Sequence, residues 1–265
     1  MTSPSLSAAF CSDIQYLHSL KIPLIIVHGG GPMISSLLKE LNIDSKFDEA
    51  TGVRVSDAKV VRAASFALSA VNKNLSYRIS KQSDVTEGQD VKALGLDGRD
   101  GRLLQCKVVE NGRLGNVGEI VKVNTQLLRG LVESAIPIIS PIGCALDDKD
   151  DTVFNVNADV AAGTIARAME CAATVFLTDI AGVMDRSRKV LPKLTKREVD
   201  ELIEKKVITG GMIPKVNYAV QAARKEGQRA VIADGRVEHA VVKEVFKLCG
   251  VEVDGAGGGT TITAE

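Results

Sequence analysis

Lys215 closes the run Val207-Ile208-Thr209-Gly210-Gly211-Met212-Ile213-Pro214-Lys215. Two glycines let a ligand come close to the backbone. Pro214 suits the first turn of a helix, where a missing N–H is no loss. A lysine there is disfavoured by the helix dipole unless an anion shares the site. The segment therefore reads either as a phosphate site or as a loop ending in a solvated lysine. A second glycine turn, His28-Gly29-Gly30-Gly31-Pro32, follows the apolar run Ile22–Val27 and opens a helical period. Its N–H groups can cradle an anion; the plainer alternative is a tight turn. Its spacing is neither GxGxxG nor GxxxxGK with Ser or Thr, so dinucleotide and Walker geometry are not implied.

Other polar residues sit where strands give way to helices. Arg54, just before the N-cap candidates Ser56 and Asp57, could fork onto a carboxylate or lie on the surface. Asn155, Asn157 and Asp159 precede an alanine-rich helix, and capping needs only one of them. The surplus could hold a substrate or a lysine. The run Thr178-Asp179-Ile180-Ala181-Gly182-Val183-Met184 follows the predicted strand Thr174–Thr178, at the strand end where open α/β sheets bind ligands. Asp179 could take a ribose hydroxyl or a helix cap. The acidic run Asp147–Thr152 reads as a solvated turn or, less simply, as a metal site, though it lacks the glycine and distal glutamate of an EF-hand.

The elements that must position these residues follow from hydrophobic period. Strands are predicted over Ile22–Val27, Lys92–Leu96, Leu103–Val109, Ile136–Ser140, Thr174–Thr178, Ala230–Asp234 and Thr260–Thr263. Ile34, Leu37, Leu38 and Leu41 form one helical stripe, and Val60, Ala64, Ala67, Val71 and Leu75 another. Strands alternating with helices predict an α/β fold with a mainly parallel sheet. The polar run Lys81–Asp90 reads as an exposed loop, and Gly255–Gly259 as a flexible one.

Composition limits the function. Over 265 residues, 33 Lys+Arg balance 33 Asp+Glu, and aromatics are 3% with no Trp. Neither a basic footprint nor a stacking surface for nucleic acid is present, and no apolar run is long enough to span a membrane. Five scattered cysteines without a CxxC fit free thiols in a reducing compartment. No targeting segment is evident, so a soluble intracellular protein is expected, cytoplasmic or, in a photosynthetic eukaryote, plastid.

Taken in order, these motifs resemble the amino acid kinase family, most closely its members that act on N-acetyl-L-glutamate. The matching segments are IIVHGGGP (25–32), GVRVSD (52–57), VNK (71–73), GLDGRDGRL (95–103), VGEIVKVNT (117–125), FNVNAD (154–159), LTDIAGVMD (177–185), VITGGMIPKV (207–216) and ADGRVEHA (233–240). The resemblance implies a three-layer αβα sandwich around an open, mostly parallel sheet. It implies an N-terminal lobe over residues 1–168 that takes the acyl amino acid and dimerises, and a C-terminal lobe over 169–265 that takes ATP. Gly30, Gly31, Arg54 and Asn155 would hold N-acetyl-L-glutamate. Asp159 would organise the catalytic lysines, and Lys215 would stabilise the transferring phosphoryl group. Asp179, Ile180, Ala181, Gly182, Val183, Met184, Val207, Ile208 and Thr209 would line the nucleotide, with Mg²⁺ carried on its phosphates. The implied reaction is phosphorylation of the γ-carboxylate of N-acetyl-L-glutamate, the second step of arginine synthesis. A homodimer or higher oligomer is expected, with arginine as a candidate effector and the PII signalling protein as a partner in photosynthetic organisms.

The family pattern also begins with a strand, a lysine and a Gly-Gly turn, and Met1–Pro4 match the family's segment just after that turn. The expectation is a sheet without its first strand and one lysine where the chemistry uses two. Two alternatives stay open: a catalytically weakened ligand-binding paralogue, and a kinase for a related acyl or carbamate-type substrate. The insertion Val251–Gly258 interrupts the region that binds arginine in inhibited relatives, which Glu244 and Gly258-Gly259-Thr260 partly resemble.

Overall fold

The alternation of strand and helix expected from hydrophobic period is present in the computed structural model, which describes residues 3–49, 51–81, 90–251 and 258–264. The predicted loop over Lys81–Asp90, apart from its end residues, lies outside the described residues, as does most of Val251–Gly258. The chain divides into two units: one holds residues 23–81 and 90–162, the other residues 3–22 and 163–264.

In the first unit the run expected as a strand from Ile22 shortens to β1 (Ile26–Val27), which leads through the glycine turn into helix α2 (Gly31–Glu40). Helix α3 (Ala58–Ser80) is capped by Asp57, whose carboxylate accepts from Val60 N at 2.9 Å, and it runs five residues beyond its expected end. Strands β2 (Ala93–Asp97) and β5 (Ile136–Ser140) complete a parallel three-stranded sheet in the order β1-β5-β2. Every residue of β5 is buried, as a central strand of a covered parallel sheet requires. A second sheet joins β3 (Leu104–Val108), β4 (Gly118–Val123), β6 (Ile142–Ala145) and β7 (Val153–Asn155) in the order β4-β3-β6-β7. Helix α4 (Thr125–Val132) follows β4, capped by Asn124. Ile34 and Leu38 of α2 pack on Val60, Ala64, Ala67 and Leu68 of α3. Small alanines at the contact let the helices approach, and each fully buried leucine contributes roughly 2 kcal/mol.

The second unit opens with a helix that the periodicity does not reveal, α1 (Pro4–Ser19), with Pro4 in its first turn. The alanine-rich helix α5 (Ala158–Met169) carries the division between the units. Strands β8 (Ala173–Thr178), β9 (Lys193–Thr195), β10 (Arg229–Asp234) and β11 (Thr260–Thr263) pair in the order β8-β10-β11-β9, parallel except for β10 with β11. Helices α6 (Lys196–Glu204), α7 (Met212–Ala222) and α8 (Ala240–Leu248) complete the unit. The fold is mixed α/β with mostly parallel sheets, as expected. No helix of the described residues is long and apolar enough to cross a membrane.

Candidate functional site

Gly30 is the N-cap of α2 and turns the chain between strand and helix. A Cβ on Gly30 would come 2.8 Å from Leu68 Cδ2, whereas one on Gly31 would meet nothing within 4 Å. Among the described residues no hydrogen-bond acceptor takes the N–H of Gly30 or Gly31. Two consecutive open donors at a helix N-terminus make an anion cradle.

Arg54 is buried, contrary to the surface alternative. Its Nη2 donates to Ser35 Oγ of α2 at 2.8 Å and its Nη1 donates to Ser45 Oγ. The guanidinium carbon lies 4.4 Å from the centre of the Phe47 ring. No carboxylate of the described residues pairs with it, and burial lowers its pKa from the usual arginine value. A desolvated cation resting on hydroxyls and a ring is an incomplete arrangement that an anion would complete.

Asn155 joins the same neighbourhood. Its Nδ2 donates to Ser56 Oγ at 3.1 Å, and Ser56 Oγ donates to the Arg54 carbonyl at 2.9 Å. Asn157 is the cap of α5: its Oδ1 accepts from Asp159 N at 2.8 Å and from Val160 N at 3.3 Å. Asn157 alone does the capping, so neither Asn155 nor Asp159 is needed for it. Sequence reasoning missed Ser35, Ser45 and Phe47, because a hydroxyl or ring that seats an arginine through tertiary contact has no local signature.

In the second unit, Asp179–Met184 follow β8 directly. Thr178 Oγ1 donates to Asp179 Oδ1 at 3.3 Å, and no helix starts until Lys196, so Asp179 is not a helix cap. Val183 N donates to Thr260 Oγ1 at 2.8 Å, which ties this loop to β11. Val207 and Ile208 both donate to the Leu202 carbonyl, and Thr209 is exposed at the end of that turn. Helix α7 begins at Met212, two residues before Pro214, with Gly211 as its N-cap and no side-chain cap bond. Pro214 is thus in the first turn, as expected, and Lys215 is the fourth residue of the helix. The structure thus gathers Gly30, Gly31, Arg54 and Asn155 in one unit, while Asp179–Met184, Val207–Thr209 and Lys215 belong to the other.

Glu244 of α8 is fully buried. Its Oε1 accepts from Gly259 N at 3.3 Å, Lys247 Nζ stands 3.8 Å from Oε2, and Oε2 has no hydrogen-bond donor. Burial raises its pKa above the usual glutamate range, against the opposing pull of Lys247 and Gly259.

The sequence model of the amino acid kinase family matches residues 1–234. An acetylglutamate kinase of Acinetobacter baumannii is 39% identical over 264 residues, covering 95% of this chain and 83% of the relative. An acetylglutamate kinase of Aquifex aeolicus is 37% identical over 280 residues, covering 100% of this chain and 89% of the relative. The crystal structure of smu.665 from Streptococcus mutans superposes with a TM-score of 0.75 at 26% identity, covering 97% of this chain and 95% of that one. With its glycine turn, its buried arginine and a family match spanning most of its length, this chain belongs to the amino acid kinase family.

Proposed function

We propose that this chain transfers the γ-phosphoryl group of ATP to the γ-carboxylate of N-acetyl-L-glutamate, giving N-acetyl-L-glutamyl 5-phosphate and ADP. The observation that carries this reading is Arg54, a buried cation without a carboxylate partner among the described residues, seated on the helix that the glycine turn opens. Relatives bearing the acetylglutamate kinase name cover nearly the whole chain.

Arg54 takes the α-carboxylate, and the Gly30 and Gly31 N–H groups take the reacting γ-carboxylate. Asn155 supplies a further donor to the acyl amino acid. Residues 179–184 and 207–209 line the nucleotide, Lys215 meets the charge that develops on the transferred phosphoryl group, and Asp159 orients the lysine. The acceptor carboxylate is already ionised at neutral pH, so no general base is required. Catalysis then consists of positioning and charge stabilisation. Among the described residues no three His, Cys, Asp or Glu side chains converge on a metal position. Mg²⁺ would be held by the nucleotide phosphates, where it neutralises charge.

Two further assignments belong to this reading. Glu244, whose buried Oε2 lacks a donor, suits the guanidinium of arginine as an effector. Phe66 and Tyr77 of α3, 60% and 69% exposed, offer apolar surface for a homodimer. The test is formation of acyl phosphate from N-acetyl-L-glutamate and MgATP, trapped as the hydroxamate. Turnover on an N-acyl-aminoadipate or carbamate instead would reassign the substrate. Ligand binding without any phosphoryl transfer would leave a binding protein.

A further inference from the structure

We propose that His28 and Asn72 are positioning residues that fix the plane of the Gly29–Gly30 peptide and so aim the Gly30 N–H at the acceptor carboxylate. The proposal rests on reading the glycine turn as the acyl amino acid's site.

His28, Asn72 and Ser140 are 9%, 3% and 2% exposed, at the end of β1, on the inner face of α3 and at the end of β5. His28 Nε2 lies 3.1 Å from Asn72 Nδ2 and 3.0 Å from Ser140 Oγ, and Nδ1 lies 3.0 Å from the Gly29 carbonyl oxygen. The same Asn72 Nδ2 donates to the carbonyls of Ile138 at 2.9 Å and Leu96 at 3.2 Å. Two carbonyl acceptors establish which end of the Asn72 amide faces them, and an NH₂ group can only donate. The amide's two hydrogens are shared among these two carbonyls and Nε2, and the tautomer follows from the Gly29 carbonyl, which can only accept: the ring proton sits on Nδ1, donating to Gly29 O, and Nε2 is left as an acceptor toward Asn72 and Ser140. Burial favours this neutral ring, holding the His28 pKa below the ordinary histidine value against the pull of the Gly29 carbonyl.

In a trans peptide the C=O and the following N–H point in opposite directions. A Gly29 carbonyl held against the imidazole thus sends the Gly30 N–H away from the ring. Gly30 N–H has no acceptor among the described residues, so that direction is set but unused within the protein.

The network also accounts for two sequence motifs that ligand binding leaves unexplained. Asn72 is the centre of VNK (71–73), and its Oδ1 occupies the space a Cβ would take on Gly95, at only 1.8 Å. Gly95 must be glycine for Asn72 to reach the strand ends. Lys73 Nζ donates to the Gly95 carbonyl at 2.9 Å on the same strand. One asparagine thereby joins β2, β5 and the turn after β1.

His28→Phe and His28→Ala remove the donor, and His28→Asn returns an N–H near the Nδ1 position. The first two are expected to lower kcat/KM for N-acetyl-L-glutamate at least tenfold while KM for ATP stays within twofold; His28→Asn recovers most of the loss. Asn72→Ser tests the same relay without touching the turn and should lower the same ratio selectively. Wild-type kinetics in folded His28→Phe, or an equal loss toward both substrates, would overturn the proposal. A crystal structure of His28→Ala gives a readout independent of substrate. A rotated Gly29 carbonyl supports the positioning role even if another acyl acceptor is found, and an unmoved one refutes it.

Discussion

Arg54 Nη2 donates to Ser35 Oγ at 2.8 Å, so a buried cation is anchored to the very helix whose N-terminus carries the glycine cradle. The pairing fixes the separation between the guanidinium proposed to take an α-carboxylate and the N–H groups proposed to take the side-chain carboxylate.

Replacing Arg54 by Met keeps the length and apolar stem but deletes the charge. A charged hydrogen bond to a carboxylate contributes about 1.5–3 kcal/mol. Arg54→Met should raise the Kd for N-acetyl-L-glutamate roughly tenfold to a hundredfold, measured by calorimetry. Because the guanidinium is desolvated without a carboxylate partner, its removal should leave the melting temperature unchanged or higher. A large fall in stability with unaltered affinity would make Arg54 structural.

The two glycines separate packing from function. Gly30→Ala forces a Cβ to within 2.8 Å of Leu68 Cδ2 in the α2–α3 core, and should destabilise by about 1–3 kcal/mol. Gly31→Ala meets no atom within 4 Å, so its melting temperature should match wild type while the added methyl crowds the substrate and kcat/KM falls. Denaturation paired with steady-state kinetics on both variants checks this; full activity in Gly31→Ala would remove that residue from the site.

Legibility in the sequence tracks the range of the interactions. The glycine turn, the Asp57 region as a cap and β11 are local, and each is readable from neighbours in sequence. β5 is legible because a strand covered on both faces is largely apolar along its length. The start of α7 is legible because Pro214 is tolerated only in a helix's first turn, where it stands as the third residue. Helix α1 is hidden because only part of it is buried, which blurs its stripe. The seat of Arg54 combines Ser35, Ser45 and Phe47 from separate segments, and no spacing rule connects them.

Glu244 gives a pH-dependent signature. Its folded pKa is raised by burial, so the folded state holds the proton more tightly than the unfolded chain. The penalty is absent below the unfolded glutamate value, grows as pH rises through the window between the two values, and is complete above the folded one. Glu244→Gln removes the charge and should stabilise by on the order of 1 kcal/mol at about pH 8, with the gain vanishing near pH 4. If the carboxylate takes arginine, added L-arginine should raise the melting temperature of wild type and not of Glu244→Gln. A gain that persists in acid would contradict the titration account.

Gly182 should tolerate no side chain. A Cβ there would lie 2.8 Å from Thr260 Oγ1 and 3.1 Å from Thr260 N, the residue that holds the loop through Val183. Gly182→Ala should cost about 1–3 kcal/mol of stability and weaken nucleotide binding. Thr260→Val, which keeps the shape but deletes the acceptor for Val183 N, should lose roughly 1 kcal/mol. Thermal melts with and without ATP report both; wild-type stability and ATP affinity in Gly182→Ala would show that the loop is not held this way.

Lys215 separates binding from chemistry. Helix α7 begins without a side-chain cap, and Lys215 stands in its first turn or just past it, where the dipole opposes a cation. Such a lysine gains from an anion that develops more charge as the reaction proceeds, so its contribution belongs to the transition state more than to bound ATP. Removing one preorganised donor of this kind costs about 3 kcal/mol, or on the order of a hundredfold or more in rate. Lys215→Met should therefore lower kcat by about that factor in the hydroxamate assay, with the ATP Kd changed only severalfold and the melting temperature unchanged. Lys215→Arg should recover part of the rate, since the charge returns in a different shape. Equal losses in kcat and in ATP affinity would mean that Lys215 binds ground-state phosphate and leaves the transition state to other groups.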